Sequence, residues 1–174
     1  MNILAFGASA SKNSINKQFA HYVADHFEDH EVIKIDLLDY PLPIFTVDLE
    51  KSNGFPENVS LFLDKVRAAD LIIISMAEHN GSYTTWFKNL FDWSTRVNAQ
   101  FFKDKKILLL STSPGERGGI GSLTAAKERF PRHGAQIIAT FSLPNFETNF
   151  NSSEGILDRD LKNQLEIIVG KVLS

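Results

Sequence analysis

The sequence of 174 residues contains no cysteine. Without thiols the chain cannot form disulfides, use a cysteine nucleophile or bind zinc through thiolates. An excess of basic residues is also missing, because 18 Lys and Arg stand against 21 Asp and Glu, a net charge of −3. This balance argues against a general nucleic-acid binder, which needs a basic face for the phosphate backbone.

Several sequence patterns are missing as well. No apolar run approaches the length of a membrane span and no basic segment precedes a long apolar core, so we expect a cytoplasmic protein without membrane contact. No internal repeat or low-complexity linker is present, and the length predicts a single domain over residues 1–174. The dinucleotide fingerprint Gly-x-Gly-x-x-Gly and a Walker A lysine pattern are both absent.

What is present is a series of apolar runs separated by helical patterns. Leu71–Ile74 and Ile107–Leu110 do not alternate with polar residues, which is typical of central parallel strands covered on both faces. Five βα units in this length predict an α/β fold with an open, doubly wound parallel sheet that binds ligands beyond the carboxyl ends of its strands. The predicted strands are Ile3–Gly7, Val32–Leu37, Leu71–Met76, Ile107–Ser111 and Ile137–Phe141.

The remaining segments predict helices and loops. Leu38–Phe55, with its prolines and glycine, indicates a long irregular connection, and Pro56 suits the first position of the helix that follows. Leu143–Ser153 indicates another loop, and apolar spacing predicts a last helix from about Ile156 to Val172.

The loop after the first strand, Ser9–Asn16, carries three hydroxyls, two amides and an ammonium but no carboxylate. A new helix starts here, and the free N–H groups and dipole at a helix start favour an anion. This composition predicts a phosphate monoester site. The alternative is an ordinary polar βα loop in which Ser14 merely caps the helix.

Two further loops follow predicted strands. In Ala77–Tyr83, Gly81 allows a ligand to approach the backbone, and His79 or Tyr83 suits the face of a planar heterocycle; the alternative is a surface Asn-Gly turn. Ser111–Gly121 contains four glycines, which allow backbone amides to face a ligand without obstruction by Cβ atoms.

The helix predicted over Thr85–Val97 has an apolar arc wider than the packing of one sheet needs. Core burial explains one face, while Phe87 and Phe91 form a shoulder beside it. This shoulder, in a chain with 14 Phe, predicts that a partner subunit covers it, in a homodimer built around Trp86–Val97. The face assigned to the core consists of Trp86, Leu90, Trp93 and Val97.

Together the three loops resemble one family, the flavodoxin-like NADPH-dependent FMN reductases, which includes quinone, azo-dye and chromate reductases. The family's first motif, Gly-Ser-x-Arg-x-x-Ser-x-Asn, is matched by Ala8–Asn16 with both serines and the asparagine kept. Its second, Pro-Glu-Tyr-Asn-x-Ser followed by Leu-Lys-Asn-x-x-Asp-Trp, is matched by Ala77–Ser82 and Phe87–Trp93. Its third, Ser-x-Gly-x-x-Gly-Gly, is matched by Ser113–Gly119. The resemblance covers nearly the whole chain, and Lys-Asn-x-x-Asp-Trp is its most specific part.

The resemblance implies a flavodoxin-like sheet with strand order 2-1-3-4-5 and an NAD(P)H-dependent enzyme that binds FMN. NADPH or NADH would be the donor, and a quinone or free flavin the acceptor of two electrons. No dedicated acid or base is implied, although His79 is a weak candidate as proton donor to a quinone. Structural roles, in support of the flavin loop and a dimer contact, are implied for Lys88, Asn89, Asp92 and Trp93. The implied FMN-binding residues are Ser9, Ser11, Ser14, Ile15, Asn16, Ala77, Glu78, His79, Asn80, Gly81, Ser82, Ser113, Gly115, Gly118 and Gly119.

The sequence departs from the family pattern at several positions. Ser11 stands in place of the usual arginine, so FMN should bind more weakly unless Lys12 or Arg117 substitutes for that charge. His79 replaces a tyrosine and Ala77 a proline, while Thr84-Thr85 replaces Pro-Gly. These changes leave the acceptor, the choice between NADH and NADPH, and the step from dimer to tetramer open.

Other functions fit parts of the sequence. The main alternative is a flavodoxin-like electron carrier or flavin-binding regulator without its own turnover, although a carrier is usually more acidic. Gly7–Ser11 faintly resembles a hydrolase elbow, and Asp36 would suit the ribose of a nicotinamide-binding domain. His26 and His30 are spaced for a metal, but no third ligand is visible, so no metal site is predicted.

Overall fold

The apolar runs form the centre of a parallel sheet in the computed structural model, which describes residues 1–173. Within those residues, five strands pair in the order β2-β1-β3-β6-β7. This is the predicted order 2-1-3-4-5 of the sheet strands, which is therefore confirmed. The sheet strands are β1 (Asn2–Gly7), β2 (Glu31–Lys34), β3 (Leu71–Met76), β6 (Lys106–Thr112) and β7 (Gln136–Leu143), and two small antiparallel hairpins consist of β4 (Glu78–His79) with β5 (Ser82–Tyr83) and β8 (Phe150–Asn151) with β9 (Gly155–Ile156).

Helices cover both faces of this sheet. One core layer contains side chains from α3 (Glu57–Ala68), α4 (Thr85–Val97) and α5 (Ile120–Arg129), and the opposite layer contains side chains from α1 (Ile15–Asp25) and α7 (Arg159–Leu173). Short 3₁₀ turns occur at Leu37–Asp39 and Phe130–His133. The helices are α1 (Ile15–Asp25), α2 (Val47–Asn53), α3 (Glu57–Ala68), α4 (Thr85–Val97), α5 (Ile120–Arg129), α6 (Phe146–Asn149) and α7 (Arg159–Leu173).

The central strands are apolar throughout because neighbouring residues serve different layers. All six residues of β3 are buried. Ile72 and Ile74 pack in the layer of α3 and α4, whereas Leu71 and Ile73 pack in the layer of α1 and α7. The continuous apolar run therefore indicated a two-sided strand correctly.

The predicted second strand and the connection after it differ from the structure. β2 ends at Lys34 instead of Leu37, because the Asp36 carboxylate accepts the N–H of Leu38 and starts a 3₁₀ turn. The connection Leu38–Phe55, predicted to be irregular, contains α2. Thr46 caps this helix at the N–H of Leu49, and Gly54 ends it at a φ of 72°. Pro56 precedes α3 as its capping residue instead of being its first residue.

The C-terminal part is also more structured than predicted. The loop predicted over Leu143–Ser153 contains α6 and β8. The last helix begins at Arg159 instead of Ile156, because the Asp158 carboxylate accepts the N–H groups of Asp160 and Leu161. An aspartate in this position is a strong helix start signal, and it lies just inside the apolar pattern.

The bounds of α4 are the predicted ones, and Leu90 and Trp93 are buried as predicted, but the other assignments on this helix are wrong. Phe87 and Phe91 are buried within the chain, where both rings lie beside Phe130, so the argument that a partner subunit must cover them is wrong. Trp86 and Val97, which were assigned to the core, are instead 36% and 37% exposed. The side of α4 that carries the phenylalanines faces the core because β5 and the Phe130–His133 turn pack on it.

Candidate functional site

The loops that follow β1, β3 and β6 meet beyond the carboxyl ends of these strands. Between them lies a cleft of about 300 Å³. The cleft is lined by Ser9, Ser11, Asn13, Ser14, Ile15, Asn16, Ala77, Glu78, His79, Thr112, Ser113 and Pro114. The structure thus brings together residues from all three loops that were selected from the sequence.

The first wall of the cleft is the loop between β1 and α1. Gly7 lets the helix start close to the strand, because a Cβ atom there would lie 2.3 Å from the backbone nitrogen of Lys17. The Ser14 hydroxyl accepts the N–H of Lys17 at 3.1 Å and caps α1. The N–H groups of Ile15 and Asn16 lie too close to the helix start for intrahelical partners, so this wall presents backbone donors together with hydroxyls.

Asn16 connects this wall to the sheet. Its Oδ1 accepts the hydroxyl hydrogen of Ser75 at 2.7 Å and the N–H of Thr112 at 3.1 Å. Its Nδ2 donates to the carbonyl oxygen of Thr112 at 3.0 Å. The amide therefore joins α1 to the ends of β3 and β6.

The nearest lysine of α1 is directed to other partners. Lys17 Nζ donates to the carbonyl of Lys12 at 3.1 Å and forms an ion pair with Asp36. Burial alone would raise the pKa of Asp36, but the Lys17 ammonium and the N–H of Leu38 outweigh it and hold the pKa below its ordinary value. The Asp36 carboxylate therefore has its partners within the protein, and it does not line the cleft.

Fixed positive charge is missing from the lining. Neither Lys12 nor Arg117, the two candidates to replace the arginine that the family carries at position 11, lines the cleft, and both are exposed. Among the lining residues the ionisable side chains are those of Glu78 and His79. The donors available to an anion are therefore hydroxyls, amides and backbone N–H groups.

The second wall consists of Ala77, Glu78 and the exposed His79. Beyond them the chain turns at Asn80 and Gly81, whose φ angles of 52° and 75° are those of a tight hairpin turn with two left-handed residues. The predicted site residues Asn80, Gly81 and Ser82 are exposed and lie outside the lining of the cleft.

Two side chains connect this hairpin to its surroundings. The Glu78 carboxylate accepts the N–H of Ser122 at 2.8 Å and so caps α5, whose own cap residue is the glycine Gly119. The Thr84 hydroxyl donates to the carbonyl of Ala8 at 2.9 Å and accepts the N–H of Phe87. Proline, which stands here in the family motif, would provide neither bond.

The third wall is formed by Thr112, Ser113 and Pro114. Of the predicted glycines, Gly115, Gly118 and Gly119 lie outside the lining. They shape the loop: Gly118 and Gly119 have φ angles of 56° and 75°. In addition, the carbonyl of Gly118 accepts the hydroxyls of Ser111 and Ser142.

The Lys-Asn-x-x-Asp-Trp motif has a structural role, as the family resemblance implies, but it supports a different segment. Asn89 accepts the N–H of Phe45 at 2.8 Å and donates to the carbonyl of Pro43, which also accepts from the Trp93 indole. Lys88 and Asp92 form an ion pair one turn apart. The motif therefore fastens the segment before α2 onto α4.

Three lining residues, namely Asn13, Thr112 and Pro114, belong to the loops selected from the sequence but are not among the implied FMN-binding residues. Asn13 lies inside the first selected loop, and Thr112 is the last residue of β6, one position beyond the predicted strand end. Position at the carboxyl end of a central strand was the signal that would have identified Thr112.

The described residues form neither a metal-binding cluster nor a membrane-spanning helix. Within residues 1–173, no three histidine or acidic side chains are grouped as a metal site would need. His26 instead contacts the carbonyl of Tyr22 through Nδ1. None of the helices in this part of the chain has both the length and the apolar character to cross a bilayer.

Comparisons with known proteins agree with this geometry. Residues 1–148 match the family model described as NADPH-dependent FMN reductase. Over 89 residues the chain is 37% identical to a probable NADPH:quinone oxidoreductase 1 of Oryza sativa subsp. japonica, covering 50% of this chain and 45% of the rice protein. Over 78 residues it is 32% identical to the quinone reductase of Escherichia coli (strain K12), covering 45% of this chain and 42% of that protein. The matched stretch thus spans less than half the length of these curated relatives.

A solved structure supports the fold. The flavoenzyme NAD(P)H:(acceptor) oxidoreductase FerB from Paracoccus denitrificans superposes with a TM-score of 0.73 at 22% identity, covering 97% of this chain and 95% of that one. Because the family model matches most of the chain, this protein belongs to the NADPH-dependent FMN reductase family.

Proposed function

We propose that this protein is an NAD(P)H-dependent oxidoreductase that binds FMN and passes two electrons from a nicotinamide to a small acceptor such as a quinone or free flavin. The observation that carries the proposal is the hydroxyl-lined cleft at the start of α1. The cleft lies between the ends of β1 and β3, where the strand order of the sheet reverses and where doubly wound folds bind their ligands. Family membership and relatives named as quinone reductases support the same function.

The donor set fits the phosphate of FMN. Ser9, Ser11 and Ser14 supply hydroxyls, and the first turn of α1 supplies free N–H groups at the positive end of the helix dipole. We assign the phosphate to this wall, which includes Ile15 and Asn16.

The other two walls suit a flat ring system. Ala77, Glu78 and His79 would lie along one side of the isoalloxazine, and Thr112, Ser113 and Pro114 would lie on its other flank. Asn80, Gly81, Ser82, Gly115, Gly118 and Gly119 would serve by shaping these walls.

Bound FMN would supply the redox chemistry, accepting a hydride from the nicotinamide and returning two electrons to the acceptor. The protein's own residues bind and orient the rings, and the backbone amides of the second and third walls offer donors to the polar ring edge. His79 lies exposed at the rim, where its imidazole is placed to give a proton to a reduced quinone.

Spectroscopy and kinetics test this function. The purified protein is mixed with FMN, desalted and scanned in the visible range, and oxidation of NADH and NADPH is then followed with a soluble quinone. We expect retained flavin absorbance and quinone-dependent oxidation of at least one nicotinamide. Retained FMN without oxidation of either nicotinamide would instead identify an electron carrier or flavin-binding regulator, and failure to bind FMN at high micromolar concentration would refute the site.

We further propose that the protein forms a homodimer through the outer surface of α4. Trp86 and Val97 are exposed on this helix, and Ile44, beside it, is 65% exposed. Exposed apolar side chains along one helix and beside it favour association with a second copy of the chain.

A further inference from the structure

Asn16 has hydrogen bonds that are unusual for a ligand-binding side chain. It lines the cleft, yet it is only 3% exposed. Its side-chain oxygen already accepts two hydrogen bonds and its nitrogen donates one, all to protein partners. A side-chain amide has two acceptor sites and two donor hydrogens, so the oxygen is saturated and a single N–H is left.

These bonds join the parts of the chain from which the cleft is built. Asn16 belongs to the first wall, Ser75 to the strand that leads into the second wall, and Thr112 to the third wall itself. Ser75 and Thr112 are themselves buried, so water cannot replace the lost bonds without opening the sheet.

From this network we infer that the side chain of Asn16 is a positioning residue, which holds the three walls of the cleft at a fixed separation, instead of a ligand of the cofactor phosphate. The inference rests on the proposed flavin site. It predicts that Asn16 contributes to the binding of the whole flavin, because wall separation matters to the ring system as much as to the phosphate.

The test compares two ligands that differ only in the phosphate. Dissociation constants of FMN and riboflavin are measured by fluorescence titration for the wild-type protein and for Asn16→Ala. We expect both affinities to fall about tenfold or more, because the cleft loses three buried hydrogen bonds, while their ratio changes less than about twofold. A loss confined to FMN would show that Asn16 holds the phosphate and would overturn the inference, and so would unchanged affinity for both ligands.

Two further variants test the inference even if the Asn16→Ala protein does not fold. Ser75→Ala removes one hydrogen-bond partner of Asn16, and Ser75 does not line the cleft. This substitution should therefore lower the affinities for FMN and riboflavin by the same factor. Ser11→Ala removes an exposed hydroxyl of the first wall. It should lower the affinity for FMN and leave the affinity for riboflavin unchanged. If Asn16→Ala fails to fold, Ser75→Ala decides the question by the same two criteria.

Amide hydrogen exchange gives a readout that needs no flavin. The N–H of Thr112 donates to Asn16 Oδ1, so it should be protected in the wild-type protein and should exchange at least about tenfold faster in Ser75→Ala, where its acceptor has lost one of its two anchoring partners. Unchanged exchange would contradict the positioning role. If the wild-type protein binds neither ligand, the proposed function fails, but this exchange measurement still decides whether Asn16 holds the walls together.

Discussion

At the scale of single residues, Ser11 sets the charge of the candidate site. It occupies the position where the family carries an arginine, and the structure places no lysine or arginine in the lining to compensate. The phosphate end therefore relies on neutral donors, which form weaker bonds to an anion than charged donors do.

Restoring the charge should strengthen FMN binding. We expect Ser11→Arg to raise the affinity for FMN by roughly 10-fold to 100-fold, because a charge-assisted hydrogen bond typically contributes about 1.5–3 kcal/mol. The affinity for riboflavin should stay the same. Fluorescence titration of both ligands measures this, and Ser60→Arg, on the exposed side of α3, controls for the added net charge. An equal gain for both ligands would contradict an electrostatic role at the phosphate.

A second residue, Tyr83, carries a buried hydroxyl without a hydrogen-bond partner. Burial raises the pKa of Tyr83 to about 12. The phenol is therefore kept neutral in the folded protein at a pH where the unfolded chain would ionise it.

Tyr83→Phe should make the protein more stable at pH 7, by about 1 kcal/mol, because it removes the desolvation cost of an unpaired hydroxyl. In the wild-type protein the free energy of unfolding should also fall as the pH rises from about 10 to about 12, since the unfolded state then loses a proton that the folded state keeps. This fall should be smaller in Tyr83→Phe. Urea unfolding across the pH range measures both effects, and a variant that is less stable at pH 7 would show that the hydroxyl has a partner.

At the scale of elements, the apolar pattern predicted the sheet and the main helices, because burial on two faces leaves a clear signal in the strands. It missed α2, none of whose residues are buried, so no apolar stripe marks this helix. Of the candidate site, the first loop was found almost completely. The hairpin tip and the glycines, which the family resemblance implies as ligands, lie outside the lining of the cleft. The sequence shows where the backbone can take a left-handed conformation but not which way a tight turn faces.

The junction of β1 and α1 offers a sharp test of element packing. In Gly7→Ala the new Cβ would meet the backbone of Asn16 and Lys17 at 2.7 Å and 2.3 Å, so the helix must move away from the strand. We expect a loss of at least about 1–3 kcal/mol in urea unfolding, the usual cost of overpacking, together with weaker flavin binding.

Gly170→Ala is its matched control. Gly170 lies in α7 with no atom within 4 Å of the added methyl group, so alanine should stabilise the protein by about 0.5–1 kcal/mol through helix propensity. If both substitutions changed the free energy of unfolding in the same direction, the close approach at Gly7 would not be the contact that determines the result.

The link from Glu78 to α5 should also be measurable. We expect Glu78→Ala to cost roughly 1 kcal/mol of unfolding free energy, because the N–H of Ser122 loses its acceptor, and to weaken flavin binding as the hairpin loosens. Glu78→Gln keeps an acceptor oxygen, so its loss of unfolding free energy should be smaller than that of Glu78→Ala. Glu116→Ala, an exposed carboxylate of the third loop, serves as control, and equal effects of the two alanine variants would refute the cap.

At the scale of the whole molecule, both helical layers expose apolar side chains. The layer of α3 and α4 exposes Trp86 and Val97, and Ile44 is exposed beside it. The opposite layer exposes Ile167 on α7, which is 58% exposed. Because the chain itself buries the phenylalanines of α4, the proposed dimer depends on Ile44, Trp86 and Val97.

Oligomeric state tests that surface. We expect the wild-type protein to sediment as a dimer at micromolar concentration and Ile44→Glu to sediment as a monomer, because a carboxylate in an apolar contact is costly to desolvate. Ile167→Glu adds the same charge on the opposite layer and should leave the dimer intact. A monomeric wild-type protein, or dissociation by Ile167→Glu alone, would place the interface elsewhere or remove it.

The position of β1 in the sheet has a consequence for how the chain is made. β1 pairs with β2 on one side and with β3 on the other, and both partners follow it in the sequence. During synthesis on the ribosome, this apolar strand must therefore wait for Leu71–Met76 to emerge before its second edge is covered. Pairing between such distant segments is slow, and the uncovered strand is prone to aggregate meanwhile, so yield should improve at low growth temperature, where the association of apolar surfaces is weaker.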